Sequence, residues 1–345
     1  MNTHRPSRFD GFTLVEMMVA ITISLIILVA VSSLFVSTKR TYNEQDRQAK
    51  MQEGARFALN FLTYDLRHAG YFGCLDDVNS QTVNSTVNAS ASLFLNALIP
   101  IEGVENATGN WYPSGNTTLP AGIKSNTDAI VLRMSSPTDP VSITDPMPNT
   151  SAELKVSSIT GINDGDILMI SDCSSADVFQ VTAVQTSLHI QHNAGGSTPP
   201  GNSTQQLSKR YSPPAQVFKF VIRTYFIRDN NGVPGLFRQD NSAPAEELVP
   251  GVDQLQITYG VDTDNPPDKV PNVYLRAGDA GLQSAADWSR VRSARIGLLV
   301  RTTDDKSRDK DAHTGGWTIN GQAVGAFNDT NRRQQYEITV NMRNL

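Results

Sequence analysis

The chain has 345 residues, enough for one large domain or two modest ones with a sizeable core. Its net charge of −5 excludes the broadly basic character of a typical nucleic-acid-binding domain. Composition alone does not decide whether part of the surface contacts nucleic acid. Asn, Ser, Thr, Gly and Pro are frequent, which predicts many turns and loops.

The N-terminal segment is long and apolar. From Met17 to Thr38 no residue carries a formal charge, and these 22 residues would form a helix of about 33 Å, matching a bilayer core of about 30 Å. A secretory signal peptide is one alternative, but the run is long for one and no small-x-small cleavage site follows it. A plain membrane anchor is another, but it does not explain the carboxylate of Glu16, which is costly inside lipid.

The string Gly-Phe-Thr-Leu-Val-Glu at 11–16, followed by an apolar helix, resembles the type IV prepilin signature. The resemblance implies a leader over 1–11, cleavage by a prepilin peptidase between Gly11 and Phe12, and N-methylation of Phe12. It also implies that Glu16 acts in filament packing and assembly by pairing with the amino terminus of a neighbouring subunit. The alternative for Glu16 is a side chain at the membrane edge with no specific partner.

The helical pattern continues beyond the apolar run. The first part, 12–38, is predicted to be the transmembrane and filament-core helix, and 39–70 its amphipathic continuation. Gly70 and Gly73 supply a stop signal, and no proline interrupts the segment. A coiled coil is the alternative, but the apolar repeat of this segment extends over too few residues for one. One helical face carries apolar residues at spacings of three and four: Met51, Ala55, Ala58, Leu59, Leu62, Leu66 and Ala69.

The region 71–345 is predicted to be a β-rich head, so the fold class is α+β, a long helix packed on the head. The Pro-rich segment 197–214 is the candidate boundary between two sub-regions. The turn Asn230-Asn231-Gly232 predicts a hairpin. The candidate strands are 129–134, 166–171, 178–184, 188–192, 217–227, 235–238, 255–259, 294–301 and 335–342.

Several strings in the head narrow the resemblance to the PilW family of minor pilins. They begin with Asp-Leu-Arg-His-Ala-Gly-Tyr-Phe-Gly-Cys at 65–74, at the end of the helix. Others are Ile-Ser-Asp-Cys at 170–173, Val-Phe-Gln-Val at 178–181, Leu-Val-Pro-Gly-Val-Asp-Gln-Leu-Gln-Ile-Thr-Tyr-Gly at 248–260 and the ending at 340–345. The resemblance implies a subunit that sits at the pilus tip or primes assembly.

Cys74 and Cys173 are the only cysteines. If the head lies in the oxidising periplasm or outside the cell, a disulfide that ties the helix end to the β region is expected. It would close a long loop and contribute about 3–5 kcal/mol in chain-entropy terms. Two separate buried thiols are the alternative. Two cysteines alone cannot form a structural zinc site.

No other group predicts a metal site, a cofactor or catalysis. His189 and His192 would lie on opposite faces of a strand, which argues against a shared metal. None of the short catalytic or nucleotide-binding motifs is present, so no enzyme or small-molecule substrate is predicted. Two acidic loops could offer oxygens to calcium but are interpreted as solvated loops: Asp262, Asp264 and Asp268, and Asp304, Asp305, Asp309 and Asp311.

These observations predict a minor pilin of a type IV pilus that helps initiate or cap assembly, supporting adhesion, twitching motility or DNA uptake. Its partners would be the prepilin peptidase, other major and minor pilins and the inner-membrane assembly platform. The expected location is the inner membrane with a periplasmic head, then the pilus near its tip. The alternatives are a pseudopilin of a type II secretion system and a membrane-anchored binding protein that never polymerises.

Overall fold

The computed structural model describes residues 11–75, 82–88, 99–107, 109–136, 140–196, 198–241, 243–303, 316–327, 329 and 331–344. The chain divides into two compact units, 1–52 and 53–345. Several expectations fall outside the described residues: most of the leader (1–10) and the acidic residues Asp304, Asp305, Asp309 and Asp311.

The described elements are two helices and eighteen strands. The helices are α1 (Leu14–His68) and α2 (Ala285–Trp288). The strands are β1 (Val83–Ser85), β2 (Ile101–Val104), β3 (Ala129–Ser135), β4 (Val141–Ser142), β5 (Leu154–Lys155), β6 (Ile167–Ser171), β7 (Ala176–Gln180), β8 (Ala183–Gln185), β9 (His189–Gln191), β10 (Gln216–Asn230), β11 (Val233–Asp240), β12 (Glu246–Pro250), β13 (Val252–Val261), β14 (Val273–Leu275), β15 (Val291–Arg301), β16 (Trp317–Ile319), β17 (Gln322–Val324) and β18 (Arg333–Asn341).

The predicted long helix is confirmed as α1, and so is the α+β class. The first unit contains the apolar start of α1, which is the one described helix long and apolar enough to cross a membrane. In the second unit α1 ends as predicted, since Gly70 follows it with a φ of 76°, a left-handed conformation that favours glycine after a helix. The N–H of Gly70 donates to the carbonyl of Arg133 in β3, which fixes the helix end to the sheet.

The larger sheet of the head has nine strands. Its main path runs β1-β7-β6-β10-β11-β12, while β3 and β4 also pair with β10, and β2 with β3. β1 pairs with β7 in parallel, and the other pairings in this sheet are antiparallel. The predicted hairpin joins β10 to β11 through Asn231 and Gly232, both with positive φ.

The segment 197–214 connects β9 to β10 within this architecture. β10 pairs with β6, which precedes the segment, so the nine-stranded sheet continues across it. The second large sheet starts after Gly251 and has the antiparallel order β14-β13-β15-β18. Two smaller sheets complete the described head: β5-β9-β8 and β16-β17.

The described part of the head contains several apolar clusters. One lies around Phe72, Trp111 and Phe220, and another around Phe179, Tyr211 and Val217. Close packing also joins the two large sheets: a Cβ at Gly103 of β2 would collide with the ring of Tyr259 in β13. Only glycine fits there, because interiors are packed without spare volume.

Candidate functional site

The bond between Gly11 and Phe12 lies just before α1, in described backbone that is not helical. Gly11 is exposed, and a Cβ added to it would have no heavy atom within 4 Å. The side chain of Phe12 is 89% exposed. A protease would therefore meet neither secondary structure nor neighbouring side chains among the described residues at this bond. The structure thus leaves the expected cleavage position sterically open.

Glu16 closes the first turn of α1 through a reciprocal pair of hydrogen bonds with Thr13. The backbone N–H and the hydroxyl of Thr13 each donate to Oε2 of Glu16, both at 2.9 Å. The N–H of Glu16 donates in turn to the Thr13 hydroxyl at 3.3 Å. This is a capping box, which satisfies backbone donors that a helix N-terminus otherwise leaves free. The Thr-x-x-Glu spacing at 13–16 is the sequence signal that could have predicted this capping box.

The apolar stretch after Glu16 is not covered by any residue that the structure describes. The most apolar 18-residue stretch of α1 is entirely unburied. Its exposed side chains include Ile21, Leu28 and Phe35. Exposed apolar surface of this extent marks a membrane or an association surface. The first unit therefore combines a membrane-length helix with a carboxylate held at its start.

The second part of α1 buries one stripe in the head. Ala55, Ala58, Leu62, Leu66 and Ala69 are almost completely buried, as their spacing predicted. Gly54 allows close approach, since a Cβ there would lie 3.4 Å from Cγ1 of Val249 in β12.

A buried carboxylate, Asp65, fastens this part of α1 to β10. Nη1 of Arg223 donates to Oδ1 of Asp65 at 2.8 Å, and the hydroxyl of Tyr225 donates to Oδ2. Burial and the adjacent Asp65 charge raise the pKa of Tyr225, so the phenol remains a proton donor. From the sequence, Asp65 is predicted only to lie between the apolar positions of the helix. Its contact with β10 was not predicted, because the partner residues lie about 160 positions away.

The helix end is covered by the last residues of the chain. Nδ2 of Asn344 donates to the carbonyls of Arg67 and Ala69, at 3.2 and 3.3 Å. These carbonyls belong to the last turn, where a helix leaves acceptors unsatisfied. The chain terminus therefore acts as a C-terminal cap of α1.

The disulfide between Cys74 and Cys173 is confirmed, with the Cα atoms 4.7 Å apart. It joins the segment after α1 to the turn between β6 and β7. Beside it, Nζ of Lys209 donates to the Ser174 hydroxyl at 2.7 Å, and that hydroxyl donates to the Asp172 carboxylate. Burial opposes ionisation of Asp172, but bonds from Lys209 and Ser174 outweigh it and lower its pKa.

The two histidines of the β9 region have separate partners. Nδ1 of His189 lies 2.8 Å from Oε1 of Glu153, whereas Nε2 of His192 lies 2.9 Å from the carbonyl of Ala152. Burial lowers the pKa of His192 despite hydrogen bonds that oppose the shift.

The carboxylates of Asp262, Asp264 and Asp268 come together after β13, with one oxygen from each within 4.8 Å of the others. Such a set could coordinate a hard cation. Each carboxylate already accepts a local hydrogen bond: Asp262 from the N–H groups of Asp264 and Lys269, Asp264 from Asn272, and Asp268 from the N–H of Val270.

Comparisons with known proteins match both ends of the chain. Residues 6–32 match the prokaryotic N-terminal methylation motif, and residues 224–344 match the family described as type IV pilus-assembly protein W, PilW. A solved type IV-like pilin from Thermus thermophilus is similar at 12% identity, over 53% of this chain and 87% of that one, with a TM-score of 0.22. No curated protein matches the chain.

Proposed function

From the premise that this chain is a PilW-like type IV pilin, we propose that it is a minor subunit that helps to initiate or cap a type IV pilus. The observation that carries the proposal is the start of α1. The sterically accessible Gly11–Phe12 bond is followed directly by a capped helix start and by an apolar stretch that no described residue covers. The proposed role is structural rather than catalytic.

The helix and the motif give the chain a membrane anchor and a pilus association. In the proposed sequence of events, the prepilin peptidase cuts after Gly11 and methylates Phe12. Residues 12–38 hold the subunit in the inner membrane, with the head in the periplasm. The assembly platform then moves the subunit into the filament, where the helix exchanges lipid for neighbouring pilin helices.

Glu16 is proposed to pair with the amino terminus of a neighbouring subunit in the filament. The geometry supports this, because both hydrogen bonds from Thr13 use Oε2, so Oε1 takes no part in the capping box. Desolvation of a carboxylate is costly inside a helical bundle, and an opposite charge offsets that cost. Glu16 would thus serve the helix start with one oxygen and the filament contact with the other.

The first test is a complemented deletion of the gene, scored in one strain for surface pili and for type II secretion. Loss of pili with intact secretion is expected. Normal pili with failed secretion would instead assign the chain to a type II secretion pseudopilin. Normal pili and normal secretion would favour an anchored protein that never polymerises.

A second test separates the charge of Glu16 from its capping role. Glu16→Gln keeps a side chain that can close a capping box but removes the charge. Thr13→Ala weakens the cap but keeps the charge. Under the proposal, Glu16→Gln abolishes incorporation into pili while Thr13→Ala retains most of it, as measured by immunoblotting of sheared pili against membrane levels. Equal defects would mean that Glu16 serves the helix start alone.

A further inference from the structure

A second face of α1, distinct from the buried stripe, carries a row of exposed aromatic side chains. Phe57, Phe61 and Tyr64 are 45%, 38% and 56% exposed, and the ring of His68 packs on Tyr64 with centroids 4.3 Å apart. The spacing of four, three and four residues aligns them along one side of the helix. The buried stripe already anchors α1 in the head, so these rings are not needed for that purpose.

The row forms the floor of a groove of about 1080 Å³, which we name the aromatic groove. From residue 57 to 68 it runs about 16 Å along α1, which corresponds to about three turns of a second helix of about 10 Å diameter. All of its lining residues belong to the head unit. Its walls include Tyr71, Arg223, Arg238, Arg343 and Asn344.

Some of the arginines that line the aromatic groove are paired with carboxylates, and others are not. Arg223 pairs with Asp65 and Asp240, and Arg238 pairs with Asp240 and Glu246. Arg67 and Arg343, both exposed, have no carboxylate partner in the part of the chain that the structure describes. The groove therefore combines an apolar floor with two uncompensated guanidinium groups near the C-terminal end of α1.

We propose that the aromatic groove binds an amphipathic helix of a neighbouring pilin subunit and pairs Arg67 and Arg343 with an acidic side chain of that helix. The bound helix lays apolar residues spaced by three and four on Phe57, Phe61 and Tyr64, in the manner of helix-in-groove recognition. The inference rests on the proposed function, because a chain assembled beside other pilins is the one that meets such helices.

The charge arrangement favours a protein helix over single-stranded nucleic acid. A nucleic-acid groove follows the phosphate backbone with cations along its length. Here Arg223 and Arg238 are already paired with carboxylates, which leaves Arg67 and Arg343 as the lining guanidinium groups without a carboxylate partner among the described residues. That pair matches a single carboxylate, which guanidinium groups recognise with high geometric specificity.

The test uses the full-length chain in cells that make pili, with the photo-crosslinking residue p-benzoylphenylalanine replacing Tyr64. Val270, which is also 56% exposed, provides the matched control position. The expected result is an adduct at position 64 whose partner peptide, identified by mass spectrometry, comes from the N-terminal helix of a pilin. The control position should not yield that adduct. An adduct with nucleic acid, with lipid or with no partner would overturn the proposal.

The charge assignment is tested by Arg67→Glu combined with Arg343→Glu. We expect about a tenfold lower yield of the pilin adduct, because the oppositely charged pair becomes a repulsive one. Changing the carboxylate of the captured peptide to lysine should then restore the yield. The control, Lys155→Glu combined with Arg210→Glu, makes the same change in net charge at exposed positions elsewhere in the head. Equal yields in both double variants would overturn the inference.

Failure of this inference is distinguishable from failure of the proposed function. If deletion of the gene abolishes pili and position 64 still captures no pilin, the groove assignment is wrong and the pilus role stands. If deletion leaves pili intact, the proposed role is wrong whatever position 64 captures.

Discussion

The two parts of α1 differ in what covers their apolar side chains. In the first unit the most apolar 18-residue stretch is entirely unburied. In the head, the stripe from Ala55 to Ala69 is almost completely buried, and Asp65 fixes it to β10. One continuous helix thus presents two kinds of apolar surface. The first requires a membrane or other helices, and the second is satisfied by the sheet of its own chain.

Because of this difference, substitutions that affect the stability of the head should be separable from substitutions that affect assembly. Changes in the first part leave the interior of the head untouched and should act on membrane insertion and filament contacts. Changes in the second part remove native contacts and should act on unfolding. The three tryptophans, at 111, 288 and 317, all lie in the head, so their fluorescence in detergent-solubilised full-length protein reports the unfolding of that unit.

The largest expected effect comes from the disulfide. The bond closes a long loop, because its cysteines are separated by 99 positions in sequence. Loss of that constraint on the unfolded chain should lower the free energy of unfolding of the head by about 4–5 kcal/mol. The measurement is urea unfolding of wild type and of the Cys74→Ala, Cys173→Ala double variant. Membrane association should remain, and loss of it would contradict the separation of the two units.

The features that could be predicted from sequence are those that depend on neighbouring residues. Apolar spacing, Gly70 and the absence of proline predicted α1 to within about two residues at each end. Asn231-Gly232 identified the β10–β11 hairpin, and the candidate strands included the long β10, β13 and β15. Each of these signals lies within one element or in the turn that joins two neighbouring elements, so it can be read from a short stretch of the sequence.

Features formed between distant residues were not predicted. The parallel pairing of β1 with β7 joins residues about ninety positions apart, and β1 has only three residues. Nothing in the sequence near Asp65 identifies Arg223 or Tyr225, or links Asn344 to the last turn of α1. The disulfide was predictable because only two cysteines exist, so a single pairing was available.

A smaller effect is expected at Asp65. Asp65→Ala leaves Arg223 and the Tyr225 hydroxyl without their buried acceptor, and breaking such a pair typically costs 3–5 kcal/mol. We expect about 3 kcal/mol, because Asp240 still binds Arg223. The matched control is Asp46→Ala, which lies in the same helix but in the first compact unit, 1–52. Its side chain is 49% exposed and pairs with Lys50 at the surface, so the change should be below about 0.5 kcal/mol.

The Glu105–Asp128 pair should contribute a loss of stability of the head as the pH rises, opposite in sign to the contribution of His192, whose pKa is lowered. Burial raises the pKa of Asp128 well above its usual value, and the nearby Glu105 charge raises it further. Burial likewise raises the pKa of Glu105, with Asp279 adding to the shift and Arg276 opposing it. Because both folded-state pKa values exceed the unfolded ones, the stabilisation is complete below about pH 4 and is lost as the pH rises through the folded values.

Glu105→Gln tests this pH dependence by removing the charge beside Asp128. The loss of unfolding free energy between pH 4.5 and 7.5 should be smaller in this variant than in wild type. Asp145→Asn, at an exposed carboxylate, is the control and should retain the wild-type slope. Parallel slopes in all three proteins would show that the Glu105–Asp128 pair does not govern the dependence.

The smallest expected effect concerns the C-terminal cap of α1. Asn344→Ala removes the donor to the carbonyls of Arg67 and Ala69, and one such hydrogen bond contributes about 0.5–1.5 kcal/mol. We expect a loss near the lower end of that range because both contacts are long. Asn344→Asp should cost more than Asn344→Ala, since a carboxylate next to the negative end of the helix dipole is repelled. Asn163→Ala, at an exposed loop position, should change the unfolding free energy by less than about 0.5 kcal/mol. If Asn344→Asp is the milder of the two Asn344 changes, the terminus does not cap the helix, and the second part of α1 is held by its buried stripe and Asp65 alone.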